Sequence, residues 1–120
     1  MLKQDYLLRQ VESLAMSLSK LFFNKDMVQY KLEEKDNLSD TDILYSKLGK
    51  LVSEGKINEA ENLLFDEIDK SNIEYLRVGL DFYNNLKRLE DKVLEAHNYS
   101  REEIEQGLHD LSSEYGINLS

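Results

Sequence analysis

The apolar residues of this chain recur at intervals of three and four from one end to the other, and this spacing constrains the fold more than any other feature. Residues three and four positions apart share one face of an α-helix, whereas a strand requires alternation. The chain also contains no proline, the residue that most strongly interrupts helices. At 120 residues it has the usual size of one domain. We therefore predict an all-α fold, a five-helix bundle, in a single domain over residues 1–120.

The first predicted helix runs from about Lys3 to Asn24. Its apolar positions form one stripe, which predicts that this face is buried in a bundle; the stripe contains Leu7, Val11, Leu14, Leu18 and Leu21. The periodicity is lost in residues 26–38, and we interpret that stretch as a short helical turn followed by a loop.

Residues 39–70 are predicted to form a hairpin of two helices. Ser39 can cap the first of them with its hydroxyl, and Gly55 can end it because glycine enters the left-handed conformation at no steric cost. Asn58 is predicted to cap the second helix. The short link between the two helices requires an antiparallel arrangement.

The rest of the chain is predicted to form one long helix over residues 72–97 and a final helix. Ser71 with Glu74 resembles a capping box at the start of the long helix. Its predicted stripe steps again by four and three, through Tyr75, Gly79, Phe82, Leu86, Leu89, Val93 and Ala96. The final helix is predicted to begin after Ser100 and to end at Gly116.

Charge and composition exclude several classes of function. The formal net charge is −9 and no stretch is strongly basic, which argues against nucleic acid and anionic membrane surfaces as partners. There is no cysteine, so the sequence offers neither a disulfide framework nor a thiolate site. No apolar run approaches the ~18 residues of a membrane span, and the first residues do not resemble a secretion signal. We expect a cytoplasmic protein.

The sequence shows no catalytic or cofactor signature. His97 and His109 lie outside the spacings that helical zinc and di-iron sites use, and we predict no metal site and no cofactor. Asp81 is the acidic residue that stands out, since it lies beside the apolar stripe of the predicted long helix. An ion pair with Arg77 explains it equally well. The alternative to a binding role is thus a small-ligand site or an enzyme pocket near Asp81 and Tyr83.

The predicted hairpin resembles a single tetratricopeptide unit over residues 42–71. The core of the resemblance is Gly55-Lys56-Ile57-Asn58-Glu59-Ala60, with Leu44, Leu51 and Leu64 at matching apolar positions. It departs at Leu48-Gly49, which comes one position late, and no second copy follows, so the chain is not a solenoid. The resemblance implies a protein-binding face on the first hairpin helix, formed by Asp42, Tyr45, Gly49, Val52 and Ser53. The pattern that clamps peptide carboxylates is absent.

The whole chain also resembles a bacterial family of small helical proteins of unknown function. The resemblance rests on Gln4-Asp5-Tyr6-x-x-Arg9-Gln10, on Lys20-Leu21-Phe22 and on the stretch from Gly55 to Asn62. It implies an all-helical fold and no activity.

A non-enzymatic protein–protein interaction or scaffold domain is therefore the expected function, with an unidentified protein as its partner. Seven tyrosines support it, because tyrosine is favoured at interfaces. The apolar stripes of residues 7–22 and 75–96 are both wide, and we favour a two-fold homodimer in which such stripes pack across the axis. The alternative is a compact monomer that covers both stripes internally.

Overall fold

The computed structural model describes residues 2–32 and 37–118, and these form an all-α fold. Its helices are α1 (Leu2–Phe23), α2 (Asp40–Ser53), α3 (Ile57–Glu67), α4 (Ile73–Lys87), α5 (Asp91–Ala96) and α6 (Arg101–Glu114). The described ranges contain no strand. The predicted fold class is confirmed.

Helix α4 lies at the centre of the molecule and contacts α1, α2 and α6. Helix α2 packs on α3, and α1 packs mainly on α6. Buried apolar side chains come from every helix, which makes the core continuous across the bundle. They include Val11, Leu18, Leu64, Leu76, Leu80, Leu94 and Leu108.

Four helices end on a residue in the left-handed conformation. Asn24, Gly55, Asn98 and Gly116 have φ values of 56°, 78°, 58° and 78°. The following residue in each case donates its N–H to a carbonyl of the last helical turn, which is the Schellman arrangement. These bonds join Lys25 to Ser19, Lys56 to Leu51, Tyr99 to Leu94, and Ile117 to Ser112. The sequence indicated all four helix ends, the third of them at residue 97, but it did not identify Asn98 as the residue in the left-handed conformation.

Two of the predicted helix starts are confirmed. The Ser39 hydroxyl accepts from the N–H of Asp42 at 3.1 Å, and the Asp42 carboxylate accepts from the N–H of Ser39 at 3.0 Å. The Ser100 hydroxyl accepts from the N–H of Glu103 at 3.2 Å. Both arrangements satisfy N–H groups that an α-helix leaves unpaired.

The other two predicted caps are wrong. Asn58 lies inside α3, and its amide donates to the carbonyl of Asn98 at 2.9 Å, so it joins α3 to the α5–α6 loop. At the start of α4 the cap is Asn72 instead of Ser71, since the Asn72 side chain accepts from the N–H of Glu74. Asn58 lies two positions after the N-cap of α3, and Ser71 lies one position before the N-cap of α4, offsets that sequence spacing alone does not resolve.

The predicted single helix over residues 72–97 is wrong, because the helix is interrupted after Lys87 and a separate helix, α5, begins at Asp91. The guanidinium of Arg101 donates to the carbonyls of Lys87 at 3.1 Å and Leu89 at 2.8 Å, and to the carboxylate of Asp91 at 2.7 Å. It thus supplies donors to carbonyls that a helix end leaves unpaired. The predicted stripe fails beyond the break, where Leu94 is buried and Val93 is exposed.

Residues 26–32 form no helical turn, so that part of the prediction is also wrong. Val28 and Tyr30 are buried, and the Tyr30 hydroxyl donates to Asp42 at 2.5 Å. Residues 33–36 of the predicted turn and loop lie outside the described residues. This irregular segment therefore packs against the bundle through buried side chains, and Tyr30 makes hydrogen bonds to both α2 and α4.

Helix α1 buries most of its predicted apolar stripe within one chain, but Leu21, which was predicted to belong to the buried face, is 58% exposed. Leu7, Val11, Leu14 and Leu18 are at most 8% exposed, and α1 packs against α4 and α6. The cover comes mainly from α6, so the buried part of this stripe is not available to a second copy of the chain. The homodimer itself stays a prediction.

Candidate functional site

An open groove of about 500 Å³ runs between α2 and α4. Its α2 wall presents residues three and four positions apart, and its α4 wall does the same, so each helix contributes one face. Most of the lining is hydrocarbon. The apolar side chains are Leu32, Leu48, Val52, Val78, Phe82, Leu86 and Leu89.

Gly49 opens the α2 wall of this groove. A Cβ placed on Gly49 would have no neighbouring atom within 4 Å, and its φ is not in the left-handed region. Glycine inside a helix destabilises it by about 1 kcal/mol relative to alanine. Neither backbone conformation nor close packing requires glycine here, so its effect is to leave space beside the helix backbone.

Asp81 provides the negatively charged group of the groove. It is 7% exposed, and its two carboxylate oxygens accept from the N–H of Tyr30 at 3.3 Å and from the amide of Asn85 at 3.1 Å. Burial raises the pKa of Asp81, while the Tyr30 N–H, the charge of Arg88 and the Asn85 amide partly oppose this. A desolvated carboxylate held only by neutral donors is an expensive group to keep ionised.

The expected ion pair between Asp81 and Arg77 is not formed. The Arg77 guanidinium donates to Glu74 at 3.2 Å and lies over the ring of Phe23, 4.4 Å from its centroid. Arg77 therefore faces α1, away from the groove. Asp81 has no ion pair with any residue in the described ranges.

The predicted binding face coincides with the α2 wall except at one position. Tyr45, Gly49, Val52 and Ser53 all line the groove. Asp42 does not, because its carboxylate caps α2 and accepts from the Tyr30 hydroxyl, and it is 1% exposed. The spacing of Asp42 placed it on the predicted binding face, but its carboxylate makes hydrogen bonds within the fold and is not presented to a partner.

Tyr45 places a phenol beside the acid. Its ring is half-buried and packs against the ring of Tyr30 with centroids 5.0 Å apart. Burial, and secondarily the negative charge of Asp81, raise the pKa of Tyr45. The polar end of the groove therefore consists of a carboxylate, a neutral phenol and the Asn85 amide.

Tyr83 does not share this site, so the expected pocket near Asp81 and Tyr83 is divided. Residues two positions apart face different sides of a helix. Tyr83 is fully buried on the other side of α4, where its hydroxyl donates to Glu61 at 2.5 Å and Tyr99 donates to the same oxygen at 2.8 Å. Burial and the charge of Glu61 raise the pKa of Tyr83 strongly.

Several lining residues escaped sequence reasoning. Val78 and Asn85 each lie three or four positions from Asp81 and Phe82 on α4, and this spacing could have identified the α4 wall. Leu32 could not have been found, since its segment has no periodic pattern. The two walls meet only because α2 packs against α4, which is a tertiary contact.

Within residues 2–32 and 37–118 no three His, Asp or Glu side chains come together in a way that could hold a metal ion. No described helix is long and apolar enough to cross a bilayer. His97 packs its ring against Gly55, where an added Cβ would lie 2.6 Å from the Nδ1 atom.

A family model matches residues 1–116 of the chain, and its description is "Family of unknown function (DUF6483)". The chain belongs to this family. The resemblance predicted from the sequence is confirmed at this level. Neither the curated proteins nor the solved structures gave a match. Membership of DUF6483 assigns no function, so the groove is the feature from which one has to be inferred.

Proposed function

We propose that this DUF6483 protein is a non-enzymatic interaction domain that binds an amphipathic helix of a partner protein in the groove between α2 and α4. The observation that carries the proposal is the groove itself, which is open, largely apolar and bounded mainly by helix side chains. Grooves of this kind bind the apolar face of a helix through anchors spaced three and four residues apart.

The walls favour a helical partner over an extended one. Residues inside α2 and α4 use their backbone N–H and C=O groups within the helices, so those segments offer no free backbone edge. An extended peptide would bury its own unpaired amides against hydrocarbon, at a cost of about 1–3 kcal/mol for each group. A helix satisfies its backbone internally.

The dimensions suit a short helix. Lining residues extend over 45–53 of α2 and 78–86 of α4, and at about 1.5 Å per residue each wall is about 12 Å long. This length matches about two turns of a partner helix. The tetratricopeptide-like character of the hairpin supports the proposal, since the residues that the resemblance assigned to a binding face include Tyr45 and Val52 of this wall.

The net charge of −9 and the absence of cysteine fit a partner in the bacterial cytoplasm, and we include that location in the proposal.

A small-ligand site is the second candidate, and the volume of about 500 Å³ favours it because ligand pockets have about 300–1,000 Å³. The titratable side chains among the lining residues are Asp81 and Tyr45. Burial holds the pKa of each above its ordinary value. A ligand here would be an apolar molecule with one basic group, and the helix proposal competes directly with it.

The variant Gly49→Met tests the proposal. Methionine favours helix and its side chain would occupy the groove, so the variant should be more stable than the original and yet lose binding. The probe is a phage-displayed library of helical peptides with random residues at four positions of one face. Lys50→Met is the matched control, because Lys50 is exposed on the same helix and does not line the groove.

We expect the protein and Lys50→Met to enrich the same peptides, with aliphatic or aromatic residues at the randomised positions, and Gly49→Met to enrich none of them. Enrichment that Gly49→Met leaves unchanged would place the binding elsewhere. A library that yields no binders, together with fragment-sized amines that perturb the nuclear magnetic resonances of Val52 and Leu86, would favour the small-ligand site instead.

A further inference from the structure

Asp81 is a buried acid that forms no ion pair with any of the residues the structure describes. Buried charges in proteins are normally paired with an opposite charge, but the hydrogen-bond donors to Asp81 are the neutral groups of Tyr30 and Asn85. The nearby positive charge of Arg88 acts on it without forming an ion pair within the described residues. These two hydrogen bonds require an acceptor at this position but not a charged one, so the negative charge of Asp81 has no evident role in stabilising the protein.

The Asp81 carboxylate retains the capacity to accept further hydrogen bonds. Two carboxylate oxygens offer about four acceptor sites, and the two bonds described above use one on each oxygen. Asp81 lines the groove, so a donor arriving there can reach the carboxylate. The surrounding hydrocarbon lowers the local dielectric constant, which strengthens an ion pair formed in this place.

The side chains around Asp81 leave room for a cation, although the positive charge of Arg88 already acts on the carboxylate. Tyr45 is neutral near pH 7, since burial and Asp81 raise its pKa. Asn85 and Tyr30 contribute uncharged amide groups. Arg88 lies just beyond the end of α4 and is exposed, so its positive charge can remain in solvent when the groove is filled. The net charge of −9 also attracts basic partners over longer distances.

We infer that Asp81 selects the partner, by binding one lysine or arginine that lies within the apolar face of the docked helix. This inference rests on the proposed function and adds the chemistry of the partner to it. Aliphatic residues three or four positions before and after the cation would pack on Val52 and Leu86, while the cation reaches the carboxylate. An uninterrupted apolar helix would bury Asp81 without a counter-charge and would be rejected.

The variant Asp81→Asn isolates the charge. Asparagine has the same shape, its oxygen can accept from the Tyr30 N–H, and the Asn85 amide can turn to pair with the new amide. The fold is therefore expected to persist, which a melting curve verifies. The same helical peptide library is selected on the original protein and on Asp81→Asn, and a binder is then remade with norleucine in place of its basic residue.

On the original protein we expect lysine or arginine at one randomised position and a loss of about 10-fold or more in affinity with norleucine. On Asp81→Asn that preference should disappear, so that the two peptides bind within about 3-fold of each other. A basic residue enriched equally on both proteins would overturn the inference, because the cation would then bind to a group other than the Asp81 carboxylate.

The outcomes also separate this inference from the function on which it rests. Peptides that bind, that Gly49→Met rejects and that carry no basic residue would refute the role of Asp81 and leave the helix-binding function standing. A library without groove-dependent binders would refute both. Hexylammonium is the final probe: if this cation alone binds as tightly as the peptide, the site belongs to a small amine and the inference is wrong.

Discussion

The guanidinium of Arg101 donates to the carbonyl oxygen of Leu89 at 2.8 Å, across the break between α4 and α5. The same side chain bonds to Lys87 and Asp91 and is only 12% exposed. The first residue of α6 thereby holds the end of one helix and the start of the next. The residues between α4 and α5 include neither glycine nor proline. The hydrogen bonds of Arg101 therefore explain the interruption of the helix better than the local sequence does.

Replacing Arg101 with lysine should destabilise the protein. Lysine cannot supply a planar set of donors to three acceptors, and losing two hydrogen bonds should lower the free energy of unfolding by about 1–3 kcal/mol. Urea unfolding followed by circular dichroism measures this. Arg9→Lys, at an exposed position of α1, is the control and should change little. An Arg101→Lys protein with the original urea midpoint would show that the break does not depend on the guanidinium.

Two glycines in helix interiors should respond to alanine in opposite directions. A Cβ on Gly107 would overlap the hydroxyl of the buried Tyr83, so Gly107→Ala should cost about 1–3 kcal/mol. A Cβ on Gly49 meets nothing, so Gly49→Ala should stabilise α2 by about 0.5–1 kcal/mol. Parallel thermal melts test both. Equal effects of the two substitutions would contradict the assignment of Gly107 to close packing and Gly49 to open space.

Glu61 should prove important to stability despite its charge. Its Oε2 atom accepts from the hydroxyls of Tyr83 and Tyr99 at 2.5 and 2.8 Å. Glu61→Ala would leave two buried phenols unpaired, which should cost about 2–5 kcal/mol. A double-mutant cycle with Tyr99→Phe should give a coupling of about 0.5–3 kcal/mol. Exposed Glu59 on the same helix provides the control, and a coupling near zero would refute the shared hydrogen bond.

The stability of the protein should reveal the raised pKa of Asp81. A folded pKa above the ordinary 3.8 means that the native state holds the Asp81 proton more tightly than the unfolded state does. The contribution of Asp81 to the free energy of unfolding is therefore full below about pH 4 and is lost as the pH rises through the folded pKa. Asp81→Asn removes this dependence. The variant should match the original in melting temperature at low pH and exceed it near pH 7. If the variant is the less stable one near pH 7, the carboxylate is stabilising and its pKa is not raised.

Light scattering tests the predicted homodimer. A dimer formed through α1 would have to use the apolar side chains that this helix still exposes, Tyr6, Met16 and Leu21, because most of its stripe is buried within the chain. A mass of twice the 14.1 kDa of one chain would support it. A mass near that of one chain, unchanged on concentration, would contradict it and identify the monomer.

Local information in the sequence was enough for most of the fold. The three-and-four spacing predicted helices, and the boundaries at Asn24, Gly55 and Gly116 follow from residues that favour the left-handed conformation. The cap at Ser39 depends on atoms within three residues of each other. Such features are legible because the interacting groups are neighbours in the chain.

The sequence predicted only one wall of the candidate site. The α2 face with Tyr45, Gly49 and Val52 could be read from a repeat-like pattern, and Asp81 could be noticed beside a stripe. That these belong to one groove depends on how α2 packs against α4. Helical spacing places Asp81 and Tyr83 on different sides of α4, but it does not say which neighbouring helix each side meets.

What the sequence by itself determined is the helical class, most helix ends and which residues share a face. Only the tertiary structure decided the break at Lys87, the use of Asp42 inside the fold and the cover of α1 by α6. Each of these depends on a group brought from ten or more positions away. Helical periodicity indicates which residues are neighbours one turn apart, but it does not indicate which distant residues will come into contact. Those contacts form only when the helices pack against one another.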